Sequence, residues 1–341
     1  MRDMTADIRA AARGLFEEKK VDILVGFETG SDGYRLRPAF VASAAETDRL
    51  AWDPTCSSNL GVYLPGLFQR APQRKGAPVV LPKVGFVVKG CDLRSLVALV
   101  KEKQAPRENL VLIGVPCRGM IDERKLAAAV EGAEIASLKD GEKTVEVTLA
   151  AGRAGTAGGR TLSLAREELV QDACLCCQHP MPGGVDILIE GEARAVGDNG
   201  DGMVKAFSAL AAGERWQHFQ QEISRCIRCY ACRQACPTCY CKECFAEMNS
   251  PAWIGASTEL TDASIFHLIR IFHQAGRCVE CDACVRACPM GIDLRTFTKK
   301  IAADVRELFG FTPGFDLETP PPLVSFREED SQEFITEPHT T

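Results

Sequence analysis

Eight of the seventeen cysteines in this chain fall into two copies of one motif, C-x-x-C-x-x-C-x-x-x-C-P. The first copy begins at Cys226 and ends at Cys236, and the second begins at Cys278 and ends at Cys288. This spacing is typical of cysteines that ligate 4Fe–4S clusters, whereas a structural zinc ion needs four ligands and no repeat of this kind. The repeated motif therefore predicts two 4Fe–4S clusters and single-electron chemistry.

In bacterial ferredoxins that carry two such runs, the fourth cysteine of each run ligates the cluster of the other run. The same crossing here predicts two ligand sets, each with three cysteines from one run and one from the other. The first set is Cys226, Cys229, Cys232 and Cys288. The second set is Cys278, Cys281, Cys284 and Cys236. Each distant fourth ligand would tie the two runs into one fold.

The other nine cysteines form two groups. Three of them follow the first run, at Cys239, Cys241 and Cys244. These three cysteines have three possible roles: they pack around the clusters, they contribute to a further metal site, or they have no specific role. The remaining six are Cys56, Cys91, Cys117, Cys174, Cys176 and Cys177. Four of the six could bind a third metal centre, and the alternative is that they are small buried apolar residues.

The elements predicted for the first 200 residues alternate between strands and helices. A buried run at 84–88, an amphipathic helix at 92–103 and a second buried run at 110–115 predict a βαβ unit with parallel strands. Cys91 and Cys117 would then lie at the carboxyl edge of the sheet, where open α/β folds place ligands. Further predictions are a first helix with an apolar face, strands at 21–27 and 38–42, and a helix at 58–68. The segments 145–149 and 161–164 read as a hairpin joined by a glycine-rich turn.

The remainder of the chain is predicted to be helical and to end in an acidic tail. Helices are expected at 203–221, 262–275 and 293–308, around the two cysteine runs. Three parts follow: an α/β domain at 1–200, a helix-rich two-cluster ferredoxin-like domain at 203–310 and a tail at 311–341. The tail contains seven acidic residues, five prolines and one arginine. It is either a solvated extended segment or a strap along a partner subunit.

Charge and composition exclude several classes of function. The net charge is −6, and the tail alone accounts for it, so a basic face for nucleic acid is not evident. No apolar run reaches the roughly 18 residues of a membrane span, and the charged amphipathic N-terminus does not resemble a signal peptide. We therefore expect a cytoplasmic protein. None of the five histidines stands in a recognisable acid–base or metal pattern, and His267 and His273 are expected to be ordinary helix residues.

Five segments together resemble a known family. They are VDILVGFETG, AWDPTCSSNLGVYL, IGVPCRGMID, DACLCCQHPMPGGVDILIEG and RCIRCYACRQACPTCYCKEC, which cover positions between 21 and 244. These segments are similar to the beta-subunit family of deazaflavin-coenzyme-reducing hydrogenases and methanogen-type formate dehydrogenases. The last segment is similar to the ferredoxin module that formate dehydrogenase beta subunits carry.

The resemblance implies an iron–sulfur flavoprotein in which an α/β domain holds a 4Fe–4S cluster beside FAD. Carried over by position, Cys117, Cys174 and Cys177 match the cluster cysteines of the family. Cys56 is the preferred fourth ligand and Cys91 is its rival. No residue is assigned to flavin binding or to catalysis.

Two functions follow from these observations. The first is an electron-transfer subunit of a hydrogenase, formate dehydrogenase or heterodisulfide-reductase-like complex, with catalytic and electron-accepting subunits as partners. The alternative is a flavin-containing subunit that itself reduces or oxidises a deazaflavin or nicotinamide coenzyme. An iron–sulfur sensor is a third class, which the lack of a basic DNA-binding helix disfavours.

Overall fold

The computed structural model of the chain describes residues 4–69, 80–150, 159–326 and 328. The helices of the first 200 residues are α1 (Met4–Glu17), α2 (Leu64–Phe68), α3 (Gly90–Lys101), α4 (Glu123–Ala129), α5 (Arg166–Leu169) and α6 (Asp172–Leu175). The strands are β1 (Ile23–Thr29), β2 (Leu36–Val41), β3 (Val84–Val88), β4 (Leu110–Gly114), β5 (Ile135–Asp140), β6 (Thr144–Leu149), β7 (Thr161–Ala165) and β8 (Ile187–Leu188). The later helices are α7 (Asp201–Ala209), α8 (Ala212–Ile223), α9 (Ala231–Gln234), α10 (Leu260–His273), α11 (Ala283–Ala287) and α12 (Arg295–Phe309).

The first 200 residues are built on a mixed five-stranded sheet in the order β2-β1-β3-β4-β8. β2 runs antiparallel to β1, while β1, β3, β4 and β8 run parallel to one another. Every residue of β3 is buried, as expected for a parallel strand that is covered on both faces. The α/β class and the parallel strands predicted from the sequence are confirmed.

The βαβ unit has the predicted course. β3 and β4 pair in parallel from Val84 opposite Leu110 to Val88 opposite Gly114. The helix between them begins at Gly90, two residues earlier than predicted. Cys91 therefore lies in the first turn of α3 and Cys117 lies three residues beyond β4. Both cysteines stand at the same edge of the sheet.

A second, antiparallel sheet has the order β5-β6-β7. It contains the predicted hairpin, with Val147 of β6 opposite Leu162 of β7. The predicted glycine-rich turn covers residues 151–160, and its positions 151–158 lie outside the described residues. The sequence patterns did not reveal β5 or the short β8.

The helix predicted at 203–221 is two helices, α7 and α8. The break has a local cause, because the Glu214 carboxylate accepts the N–H of Ala211 at 2.8 Å and so caps a new helix. The segment predicted as a helix at 58–68 is also divided, into a 3-10 turn at Leu60–Tyr63 and then α2. Helices α10 and α12 begin and end within two residues of their predicted bounds.

The buried side chains form three apolar clusters. Two lie within residues 8–189, one behind the large sheet and one beside the small sheet, and the third lies within residues 219–297. The start of the predicted tail is not solvated, because Phe311 and Pro313 are buried and Asp316 lies 3.6 Å from Lys101 of α3. Residues 329–341 of the tail lie outside the described residues. No helix in the described part of the chain is long and apolar enough to cross a bilayer.

Candidate metal centres

The two cysteine runs fold into the same loop. In each run the residues two and four positions after the first cysteine have left-handed backbone, namely Arg228 and Tyr230 in the first and Glu280 and Asp282 in the second. The φ angles are between 53° and 59°, and a short helix follows each loop. Left-handed backbone at a residue other than glycine costs of order 1–3 kcal/mol and persists where the surroundings enforce it. The repeated strain identifies the loops as a built site.

The loops bring the cysteines of the two runs together in the crossed manner. One cavity, here called the outer cavity, is lined by Cys226, Cys229, Cys232 and Cys288. Another, here called the inner cavity, is lined by Cys278, Cys281, Cys284 and Cys236. Each cavity thus takes three cysteines from one run and the last cysteine from the other. In the described ranges no three Cys, His, Asp or Glu side chains stand close enough to hold a single metal ion.

A third cavity, here called the first-domain cavity, lies at the carboxyl edge of the large sheet. Its lining includes the cysteines Cys91, Cys117, Cys174, Cys176 and Cys177. Gly90 makes this arrangement possible, because a Cβ atom there would lie 1.8 Å from the carbonyl oxygen of His179. Only glycine allows the loop of Cys177 to approach the start of α3 so closely.

Backbone N–H groups point at the sulfur atoms in all three cavities. In four cases the donor is the backbone N–H of the residue two positions after the cysteine, at 3.3–3.4 Å from Sγ. These cysteines are Cys117, Cys177, Cys226 and Cys278. Met120 N–H donates to Cys174 Sγ at 3.4 Å. Gly119 has a φ of +89°, which turns the chain so that consecutive N–H groups reach two different thiols. Such donors stabilise thiolates, the form in which cysteine binds iron.

Several of these thiols are costly to ionise without a metal. Burial raises the pKa of Cys117 and of Cys284 to about 12, and that of Cys232 to about 11. A cationic metal centre would displace these protons and supply the positive charge that the buried sulfurs lack. The donor set therefore fits iron–sulfur clusters, which are held by cysteine thiolates.

Cys56, the fourth ligand preferred from the sequence, does not line the first-domain cavity. Its side chain is fully buried in the apolar cluster behind the large sheet, and its N–H bonds to the carbonyl of Asp53. Cys91 lines the cavity in its place. The geometry thus favours the rival over the preferred residue.

The remaining cysteines differ in their surroundings. Cys176 also lines the first-domain cavity, but after burial the groups that most affect its pKa are Lys299 and Asp198, not another cysteine. Cys239 accepts a hydrogen bond from Nε2 of Gln274 at 3.3 Å, and its thiol next to Cys236 lowers the pKa of Cys236. Cys241 is exposed and Cys244 packs at the edge of the second-half core. None of the last three lines the inner or outer cavity.

The three cavities follow one another in space. Val279 and Cys281 line both the first-domain cavity and the inner cavity, so these two share a wall. Cys232 of the outer cavity lies beside Cys284 of the inner cavity, close enough for the two to interact electrostatically. Beyond them the outer cavity meets solvent, where Cys229 is exposed. The order is first-domain, inner, outer.

One polar contact at the outer cavity had no signal in the sequence. Nε2 of His267, on α10, lies 3.3 Å from Sγ of Cys226. Burial lowers the pKa of His267 to about 3, so the ring is neutral and has one N–H to donate. Only the folding of α10 against the first run brings the two residues together.

Comparisons with known proteins agree with this geometry. Residues 222–294, which hold both cysteine runs, match the family model of a 4Fe-4S dicluster domain. The F420-dependent formate dehydrogenase subunit beta of Methanocaldococcus jannaschii is 24% identical to this chain, and the alignment covers 92% of this chain and 93% of the relative. Subunit beta of the F420-dependent formate dehydrogenase 1 of Methanococcus maripaludis is 25% identical over 93% of this chain and 92% of its own length. The chain is thus similar to these beta subunits over nearly its whole length.

The family resemblance predicted from the sequence is confirmed, and the chain has a ferredoxin-type 4Fe–4S domain in its second half. In a solved structure of the F420-reducing hydrogenase complex of Methanosarcina barkeri, one chain matches 52% of this chain over 58% of its own length. The identity is 13% and the TM-score is 0.36.

Proposed function

We propose that this chain is the iron–sulfur electron-transfer subunit of a multi-subunit oxidoreductase and holds three 4Fe–4S clusters. The observation that carries the proposal is the unbroken series of three cysteine-lined cavities. When bound, 4Fe–4S clusters supply one-electron transfer. The α/β part at 1–200 would hold one cluster, and the ferredoxin-like part at 203–310 would hold two.

Each cavity has four cysteines available to it in this assignment. The outer ligands are Cys226, Cys229, Cys232 and Cys288. The inner ligands are Cys278, Cys281, Cys284 and Cys236. The first-domain ligands are Cys117, Cys174, Cys177 and Cys91. Backbone N–H donors in all three cavities, and strained loops at the inner and outer ones, prepare these thiols for ligation.

The partners we propose are a catalytic subunit and an electron-accepting subunit. Support comes from the two relatives, whose names identify them as subunits of formate dehydrogenases. The outer cavity is the suitable docking end, because Ile227 and Met290 in its lining are 49% and 40% exposed. All seventeen cysteines are free of disulfides, which agrees with a reducing compartment such as the cytoplasm.

Iron and sulfide analysis of the full-length, anaerobically reconstituted chain tests the proposal. Three clusters correspond to about twelve irons per chain. The C91S variant should hold about eight irons, because it loses a first-domain ligand, while C56S should keep about twelve. The reverse result would restore Cys56 as the ligand. A wild-type chain with about four irons or with stoichiometric zinc would refute the relay.

A second candidate function is favoured by one further cavity. A space of about 650 Å³ lies between the two halves and shares Ser57, Gln171 and Arg286 with the first-domain cavity. Its size suits a cofactor such as FAD, and Tyr63 and four cations lie in its lining. In that function the chain would itself exchange electrons with a deazaflavin or nicotinamide coenzyme.

The cations of this large cavity are already engaged, which is why the relay is the first choice. Lys125 pairs with Asp172 at 2.6 Å and Arg286 donates to the carbonyl of Ser57 at 2.9 Å. Arg295 pairs with Asp282, and Arg124 donates to the carbonyl of Cys288. An absorption spectrum of the acid-released cofactors separates the two functions, since only the second predicts free flavin.

A further inference from the structure

Two arginines are buried at the two junctions of the cavity series. Arg94 of α3 is 6% exposed and lines the first-domain cavity. Its Nε donates to the carbonyl of Pro313 and its Nη1 to that of Val279, each at 3.1 Å. Val279 belongs to the wall that the first-domain cavity shares with the inner cavity. Arg94 therefore stands at the first junction.

Arg270 of α10 has the equivalent place at the second junction. It is 3% exposed, lines the inner cavity and donates through Nη2 to the carbonyl of Cys232 at 3.0 Å. Cys232 lines the outer cavity. The guanidinium thus lies between the cysteines of two cavities, as that of Arg94 does.

Neither guanidinium group forms an ion pair with a carboxylate of the described residues. Nη2 of Arg94, and Nε and Nη1 of Arg270, are buried without a hydrogen-bond partner among the residues that the structure describes. Glu280, a carboxylate that acts on Arg94 electrostatically, is held by Lys299 at 2.9 Å and by Arg306 at 3.5 Å. A buried cation without a counter-charge costs several kcal/mol, so its persistence calls for an anionic neighbour.

Resting on the function proposed above, we infer that Arg94 and Arg270 are positioning residues that set the reduction potentials of the centres they adjoin. A 4Fe–4S core held by four thiolates carries a net negative charge, and one-electron reduction adds one further negative charge. Each arginine supplies the counter-charge from a fixed position and favours the reduced state of its neighbour. Arg94 lines the first-domain cavity and acts chiefly on that centre. Arg270 lines the inner cavity and bonds to Cys232 of the outer cavity, so it acts on the inner and outer centres.

Redox titrations of the full-length loaded chain, followed by EPR, test this assignment. R94M and R270M each serve as the control for the other, and R13M adds a control at an arginine that is 45% exposed and pairs with Asp48. The signal of the first-domain centre is identified by its loss in C91S. We expect R94M to lower the reduced-to-oxidised ratio of the first-domain centre at least tenfold, which is about 59 mV for one electron.

R270M should shift the inner centre by a similar factor and leave the first-domain centre unchanged, while R13M should shift neither. R94K and R270K keep the charge and should recover part of each shift. If a methionine variant does not load iron, the matching glutamine variant replaces it with the same expectation. Unchanged potentials at full iron content, or equal shifts of all centres in both variants, would overturn the inference. A wild-type chain with about eight irons would instead show that the proposed first-domain cluster is wrong, and R270M would still test Arg270.

Discussion

Removing the charge of Asp92 should destabilise the first domain strongly, because Asp92 forms a buried ion pair beside the first-domain cavity. Its carboxylate lies 2.8 Å from Nζ of Lys89, and the two side chains are 0% and 2% exposed. The carboxylate also accepts the N–H groups of Leu60 and Lys89 at 3.0 Å. These bonds fix the turn that carries Cys91 into the cavity.

The size of the effect follows from the burial. Removing one partner of a buried pair costs about 3–5 kcal/mol, because the other charge remains without compensation. The two backbone N–H groups bond to different oxygens of Asp92, and D92N keeps only one of these acceptors. The loss in D92N should therefore combine the uncompensated Lys89 cation with one broken backbone hydrogen bond. At roughly 2–4 °C per kcal/mol, the unfolding midpoint should fall by about 6–20 °C. The exposed pair of Arg13 and Asp48 provides the matched control, and D48N should cost at most about 1 kcal/mol.

Thermal unfolding of the loaded protein, followed by circular dichroism under anaerobic conditions, measures both variants. The double variant K89M/D92N is the decisive comparison. Since it removes both charges, it should be more stable than D92N, although Lys89 also donates to the carbonyl of Ser58 and lies 4.8 Å from the Phe27 ring. If D92N and D48N have the same unfolding midpoint, or if the double variant is no more stable than D92N, the ion pair does not stabilise the fold.

Two further substitutions and two deletions have defined outcomes. H267F removes the ring nitrogen that contacts Cys226. If that hydrogen bond contributes about 1 kcal/mol, its loss should lower the reduction potential of the outer centre by roughly 40 mV. A redox titration measures the shift, and the control variant H273F should show none. The C239S variant should keep the iron content of the wild-type chain, whereas the C236S variant should lose about four irons per chain. An equal loss of iron from both variants would show that Cys239 is a ligand. Deletion of 318–341 should weaken co-purification with a partner subunit at unchanged iron content. Deletion from 311 should in addition lower the melting temperature, because Phe311 and Pro313 are buried; equal melting of the two truncations would contradict this packing.

Local patterns in the sequence were sufficient for the parts of the site that are set by spacing. A cysteine run fixes three ligands within seven residues, and a buried apolar run followed by an amphipathic helix fixes the βαβ unit. The edge positions of Cys91 and Cys117 follow from that unit alone. The α/β class, the parallel strands and the family resemblance could all be predicted in this way.

The choice between Cys56 and Cys91 could not be made from local patterns. Both cysteines lie beside predicted elements, and only the close approach of His179 to Gly90 shows which one meets the Cys177 loop. The contacts of His267, Arg94 and Arg270 also depend on packing between distant segments. Arg94, for example, reaches a carbonyl 185 residues away. The two-residue strand β8 is defined by its pairing with β4 and has no periodicity to detect.

The two candidate functions use the same three cavities and differ only at one end of the series. The wall formed by Val279 and Cys281 fixes the inner cavity beside the first-domain cavity. The exposed residues at the outer cavity suit a protein partner in either case. At the other end, the large cavity shares Ser57, Gln171 and Arg286 with the first-domain cavity, so a flavin there would join the series without changing its order. Detection of flavin would therefore add a terminus to the relay, and each cysteine would keep the ligand role proposed for it.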